Sequence, residues 1–310
     1  MTKTKRIIVY GGTGFYGHKI VQKLVQKGQR VRVVSRNREQ ARAVLDEEVE
    51  IYEGDVTNPQ TIVESLRDIS TIVICLAAMS NKLIRKMKAI ERDAVLEIMA
   101  EARRQGVSRL LYISGYEMRE KLLQELKIPE FGAIKIEIES KIAESDFNWT
   151  ILGASPALEI FFAMTRNGKM TVPGGGLSAI PCISDEDVGE ITAQAALRDD
   201  LNGRRIKLTG PEAFTFPQAA QLISLISGRT IRHMAIPLTV IRVVSFILIP
   251  VAPFVRFLYK SLKMLNNFPA DLAESVPEDH QLLRDLFDYE PVTLAMEINK
   301  RIRKKTFLNG

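Results

Sequence analysis

The 310-residue chain has two cysteines, three histidines and no apolar run long enough to cross a bilayer. Cys75 and Cys182 cannot build a disulfide framework or a multi-cysteine zinc site, which fits a reducing compartment. His18, His233 and His280 are scattered and lack metal-ligand spacing with either cysteine, so no metal centre is expected. No G-x-S-x-G elbow of a serine hydrolase is present, and Cys75, inside an apolar run, reads as a small core residue rather than a nucleophile. Glycine and proline follow no period, and 26% charged against 46% hydrophobic residues excludes both a fibre and a disordered chain. The net charge of +6 is modest. Basic residues are spread along the chain except near 256–263 and 299–305, so no nucleic-acid-binding face is expected. The first apolar strand has only four residues, whereas a secretory signal needs about 7–15, and the expected location is the cytoplasm.

What is present is alternation. Ile7–Tyr10, Val31–Val34, Val49–Tyr52, Thr71–Leu76, Leu110–Ile113 and Thr150–Leu152 are short β-branched runs. Between them lie helical patterns: Ile20, Val21, Leu24 and Val25 before Gly28; Met87, Ala94, Val95, Ile98, Met99 and Ala102 before Gly106; and Ile134, Ile138 and Ile142. Strands joined by crossover helices make a doubly wound parallel sheet, an α/β Rossmann fold. After Pro156 the rhythm changes. A glycine loop at 174–176, a strand at 205–208, a helix from Pro217 to Ser227 closed by Gly228, and helices after Pro277 and Pro291 describe a smaller, helix-rich part. The expected organisation is a dinucleotide-binding domain over 1–155 and a substrate or partner region over 156–310, with the strand at 205–208 able to rejoin the sheet.

The first strand runs into Gly11-Gly-Thr-Gly-Phe-Tyr-Gly17. Here one glycine permits the tight turn, a second lets backbone amides approach a diphosphate, and the last lets the helix pack on the sheet. The helix N-terminus then offers N–H groups and a positive dipole end to the anion. A P-loop is excluded, because His18-Lys19 follow where Lys and then Ser or Thr are needed. The second strand ends Val34-Ser35-Arg36-Asn37-Arg38, with no acid before Glu39. A carboxylate there would hold a ribose hydroxyl and repel a 2′-phosphate, whereas a guanidinium grips it with two hydrogen bonds. NADP(H) is therefore expected over NAD(H), with Arg36 as the 2′-phosphate ligand.

At these motifs, with Gly54-Asp-Val56, Leu76-Ala-Ala78, Tyr112-Ile-Ser114 and Leu208-Thr-Gly-Pro211, the chain resembles the atypical short-chain dehydrogenase/reductases over about residues 5–230. It is most similar to the NmrA-like proteins and to the accessory nucleotide-binding subunit of respiratory complex I with its bacterial relatives. The resemblance implies that Gly11, Gly12, Thr13, Gly14, Phe15, Tyr16 and Gly17 form the cofactor loop and that Asp55 and Val56 lie along the adenine. It places Ala77, Ala78 and Met79 on the path to the nicotinamide ribose, and Pro156 beside the nicotinamide. Such reductases use Tyr-x-x-x-Lys, whose counterpart here is Phe131-Gly-Ala-Ile-Lys135. The lysine is present and the proton-donating tyrosine is not.

Lys135 then has two readings. Beside a bound ribose and partly desolvated, it would have a lowered pKa suited to acid–base work. On an exposed helix face it would merely pair with Glu139 one turn on. Tyr116 either returns a hydroxyl to the site or packs over the cofactor, and Ser114 is either a site hydroxyl or a cap of the next turn. The apolar stretch Val243–Val255 has 13 residues, interrupted by Pro250 and Pro253, and a bilayer needs about 20. Arg256, Lys260 and Lys263 follow as a basic stripe, so 236–265 reads either as a surface for a membrane or protein partner or as an apolar lid. The expected function is an NADP(H)-dependent oxidoreductase of a small apolar or quinone-like molecule. The alternative is a non-catalytic NAD(P)H-binding sensor or assembly protein, membrane-peripheral, docking on a membrane complex.

Overall fold

The computed structural model describes residues 6–248 and 251–304. Strands follow in the order β1 (Arg6–Tyr10), β2 (Arg30–Ser35), β3 (Glu50–Glu53), β4 (Ile69–Ile74), β5 (Arg109–Gly115), β6 (Asn148–Ala154), β7 (Thr165–Arg166), β8 (Lys169–Pro173), β9 (Ile180–Pro181), β10 (Arg204–Leu208), β11 (Ala213–Phe214) and β12 (Arg232–Ile236). The chain divides into two compact units. One comprises residues up to 118 with 132–154 and 188–207, and the other comprises 119–131, 155–187 and 208 onward.

The first unit is built on a seven-stranded sheet in the order β10-β6-β5-β4-β1-β2-β3. Pairing is parallel from β3 through β6. The bonds Gly203 N to Trp149 O and Ser155 N to Leu208 O run β10 in the same direction as β6. From β1 the chain winds one way to β3 and then the other way through β4, β5 and β6. Right-handed crossovers therefore put helices on both faces. A strand covered twice must be apolar throughout, and Ile7, Ile8, Val9 and Tyr10 are all buried. The helix Gly17–Gln26 buries Ile20, Val21 and Leu24 and stops at Gly28, where φ is +72° and the Gly28 and Gln29 N–H groups close on Val25 O and Leu24 O.

The long helix foreseen after β4 is in fact two elements. A π-helical turn, Lys88–Asp93, leads into the α-helix Ala94–Arg104, which buries Ala94, Val95, Ile98, Met99 and Ala102. Arg109, buried on β5, donates to Asn148 O, Thr150 Oγ1 and Ala195 O and so ties β5 and β6 to the helix Asp185–Ala196.

In the second unit β8 pairs with β12 in parallel and with β7 antiparallel, while β9 pairs with β11. The β8–β12 pair is not legible as a buried strand pattern, since no residue of β12 is fully buried. The helix Phe216–Ser227 opens with a reciprocal Thr215–Gln218 cap and ends at Gly228 in the left-handed region. Pro277 lies in the first turn of the helix Val276–Leu286 rather than ahead of it. The basic stripe is corrected in one member. Lys260 is half-buried and paired with Glu130, so it is not a solvated charge. Pro250 and Lys305 lie outside the described residues.

Candidate functional site

Every β-strand of a parallel sheet ends at the same edge, and the sheet order reverses beside β1, between β2 and β4. That is where a ligand crevice forms. At the end of β1 the loop turns sharply. Gly11 has φ +84°, and a Cβ there would meet Cys75 O at 2.2 Å. At Gly17 a Cβ would lie 2.0 Å from Gly11 O, so the helix can start this close only without a side chain. Gly14 differs. A Cβ there would meet only Gly11 O, at 3.1 Å, with the rest of its surroundings open. Thr13, Gly14 and Phe15 are exposed, while Gly12 and Gly17 are buried. The loop thus presents exposed backbone at the positive end of a ten-residue helix.

Next to it, Gly54 N donates to Ser35 O and joins the ends of β2 and β3. Arg36 is exposed just past β2. Asp55 accepts from Thr57 N at 2.9 Å and Thr57 Oγ1 at 2.8 Å. Burial raises the Asp55 pKa, but those bonds and the Arg36 and Lys86 charges outweigh it and hold the carboxyl below its usual range. Val56 packs against the core cluster of the unit.

Beyond β4 the chain alternates, with Ala77 and Met79 exposed and Ala78 buried. Ala78 N donates to Glu91 Oε1 at 2.6 Å. The other Glu91 oxygen lies 3.8 Å from Lys135 Nζ. Lys135 Nζ sits over the Tyr112 ring, 4.9 Å from its centroid. These contacts correct the expected pKa direction and the expected Glu139 partner of Lys135. Its partner is Glu91 and not Glu139, which pairs with Arg205. Its pKa is raised, not lowered: burial pulls it down, but Tyr112, Glu91 and Cys75 together push it above the ordinary lysine value. Cys75, by contrast, is pushed up to about 11 by burial, with Lys135 opposing, and so remains a thiol at neutral pH.

The remaining residues sort by location. Phe131 ends a 3₁₀ turn, Pro129–Phe131, before the Gly132 cap of the helix Ala133–Ala143. Its four-residue spacing to Lys135 is therefore not a single helical step. Phe131 packs instead on Phe257, with ring centroids 5.4 Å apart. Tyr116 is 3% exposed and lies beneath Lys207, whose Nζ is 5.5 Å from the ring centroid. Ser114 is buried on β5, and its Oγ has no hydrogen-bond partner among the described residues, so it does not cap the next turn. Pro156 follows β6 in the second unit, where its carbonyl accepts from Ile183 N. Glu91 was missed in the sequence because a lone charge in a helical pattern reads as solvated. Among the described residues no group of three or more His, Cys, Asp or Glu is placed to hold a metal ion.

The model of the NmrA-like family matches residues 3–293. The chain belongs to the NmrA-like family. It is 26% identical over 244 residues, 76% of each chain, to the protein named "Uncharacterized oxidoreductase YesF" of Bacillus subtilis (strain 168). It is 21% identical over 251 residues to the photosystem II assembly factor Ycf39 of Trieres chinensis, covering 77% of this chain and 74% of that one. Among solved structures, the NADPH-dependent quinone oxidoreductase QOR2 of Escherichia coli complexed with NADPH superimposes with a TM-score of 0.70 at 17% identity, over 95% of this chain and 99% of the other. That last likeness concerns the fold, the family's Rossmann-type sheet. No helix among the described residues is long and apolar enough to cross a membrane.

Proposed function

We propose that this NmrA-like protein is an NADPH-dependent oxidoreductase acting on a small apolar or quinone-like molecule. The observation that carries the reading is the exposed, uncrowded backbone at Gly14, set between the buried Gly12 and Gly17 at a helix N-terminus. There the loop's backbone amides not already bonded within it, as Gly14 N is to Gly11 O, would hold the diphosphate. The exposed Arg36 would grip the 2′-phosphate, with Asp55 turned into its own Thr57 hydrogen bonds and Val56 bordering the adenine. Ala77, Ala78 and Met79 would line the way to the nicotinamide ribose, whose hydroxyls Lys135 would hold. Ser114 and Tyr116 would frame β5's end. When bound, the reduced nicotinamide supplies a hydride.

Lys135, held charged, is a poor proton donor at neutral pH, and Phe131 has no proton to give. A substrate that accepts a hydride without concerted protonation suits that site. A quinone does, because the hydroquinone anion it becomes takes its proton from water. The names of YesF and of QOR2 support this class of activity. The test is a titration of the purified protein with NADPH, followed by absorbance at the reduced-nicotinamide band with a panel of quinones and aldehydes. Oxidation with quinones and not with aldehydes is expected. Tight binding with no turnover of any acceptor would leave a sensor or assembly protein.

A second reading, compatible with the first, concerns association with an anionic membrane surface. From residue 213 to 270 the sequence has no Asp or Glu and carries Arg229, Arg232, Arg242, Arg256, Lys260 and Lys263. Within it the helix Leu238–Leu248 exposes Val240, Val243, Val244 and Ile247 at i, i+3, i+4 and i+7, with Phe246 alongside at 77% exposure. An exposed aliphatic stripe flanked by arginines fits an anionic bilayer, into which it would lie flat. The name of Ycf39, an assembly factor of a photosystem, is in keeping with it. Phe246→Glu with Ile247→Glu should abolish binding to anionic liposomes. Loss of self-association with no liposome binding by the parent would identify a second copy as the occupant instead.

A further inference from the structure

Three groups from three elements close around Lys135. Glu91 comes from the π-helical turn Lys88–Asp93, Tyr112 from β5, and Cys75 from the end of β4. Glu91 is 7% exposed, which for a carboxylate is expensive unless both oxygens are used. Both are. One takes the Ala78 N–H at 2.6 Å and the other faces Lys135 Nζ at 3.8 Å. The neighbouring Arg92 chelates Glu137 with Nε at 2.9 and 2.8 Å from its two oxygens. Two consecutive residues of the π turn thus clamp the helix Ala133–Ala143. Glu139, on Lys135's own helix, is occupied by Arg205. Burial holds the Tyr112 phenol above its ordinary pKa, so it stands neutral beside the lysine, and Glu91 is the anion that balances the ammonium.

We infer that Glu91 is a positioning residue: its carboxylate ties the Ala78 backbone and the Lys135 ammonium into one unit, fixing the lysine's charge and the course of the loop at once. The inference rests on the proposed dinucleotide site for its consequence, but its geometry stands apart from it. Without Glu91 the burial of Lys135 would favour the neutral amine. Glu91→Gln keeps an acceptor for Ala78 N and removes only the charge.

The experiment has two arms. In the first, NADPH affinity is measured by fluorescence from pH 7 to 9. The parent should be flat, and Glu91→Gln should lose about tenfold over that range as Lys135 deprotonates. Lys135→Met should be weak and flat. Superimposable parent and Glu91→Gln profiles would overturn the inference. In the second arm, acetylation of Lys135 by acetic anhydride is followed against pH by mass spectrometry, without cofactor. The midpoint should lie above that of exposed lysines in the parent and at least one unit lower in Glu91→Gln. If that variant does not fold, a parent midpoint at or below the exposed lysines overturns the proposal. Failure of the parent to bind NADPH would instead remove the proposed function and leave the acetylation arm to decide the role of Glu91.

Discussion

Gly14 and Gly17 look alike in the sequence, yet the structure assigns them opposite consequences. In Gly17→Ala the new methyl would sit 2.0 Å from Gly11 O and 2.9 Å from Gly12 Cα, both backbone atoms. A carbon–oxygen contact relaxes near 3.3 Å, so the helix would have to retreat by more than about 1 Å, an overpacking cost of roughly 1–3 kcal/mol. For a unit of this size that is a Tm loss of about 2–4 °C per kcal/mol. In Gly14→Ala the only tight contact is Gly11 O at 3.1 Å, and φ is not positive, so the fold should lose less than about 1 kcal/mol. Its methyl would nevertheless stand over the exposed backbone that a diphosphate must approach in the proposed site. A tenfold loss of NADPH affinity, about 1.4 kcal/mol, is the minimum expected. Thermal melts and NADPH titrations of both variants give the comparison. A Gly14→Ala protein that melts and binds NADPH like the parent would refute the assignment of this loop.

Three further outcomes follow from other parts of the molecule. Arg36→Glu should weaken NADPH far more than NADH, because it sets a carboxylate against the 2′-phosphate. Equal losses in the two titrations would contradict the role of Arg36. Burial pushes the Asp187 carboxyl up to about 6, against the opposing hydrogen bonds with the Val292 N–H and the Ser184 side chain. The native state therefore binds more protons than the unfolded chain between about pH 4 and 6, and stability falls as pH rises through that window, by on the order of 3 kcal/mol. Asp187→Asn should be more stable than the parent at pH 7 and no more stable at pH 4 in denaturant titrations. A difference that does not vary with pH would sink this reading. Arg109→Ala should cost about 3 kcal/mol or more, since it strands the Asn148 and Ala195 carbonyls in the interior. A melt within 2 °C of the parent would show that those carbonyls find other partners.

The doubly wound sheet was legible because strands covered on both faces must be apolar and β-branched, as Ile7–Tyr10 and Thr71–Ile74 are. Helix ends were legible where glycine takes a left-handed conformation, at Gly28, Gly106 and Gly228. The strand Arg232–Ile236 was not, because its side chains are exposed or half-exposed and leave no alternating pattern. The Lys135 site was half legible. Local spacing pointed to Glu139, but the lysine's partner is Glu91, brought in by a π-helical turn that no short-range pattern announces. The direction of the lysine's pKa followed from that missed anion, since burial alone pulls it the other way. The pairing of Lys260 was not legible either, its partner Glu130 being remote in sequence.

The proposed oxidoreductase function stands on one event, the seating of a dinucleotide's diphosphate on the loop from Gly11 to Gly17. Calorimetric titration of the parent protein with NADPH tests it most directly. One NADPH per chain, bound more tightly than NADH, is the predicted result. No heat of binding up to millimolar NADPH would contradict the account.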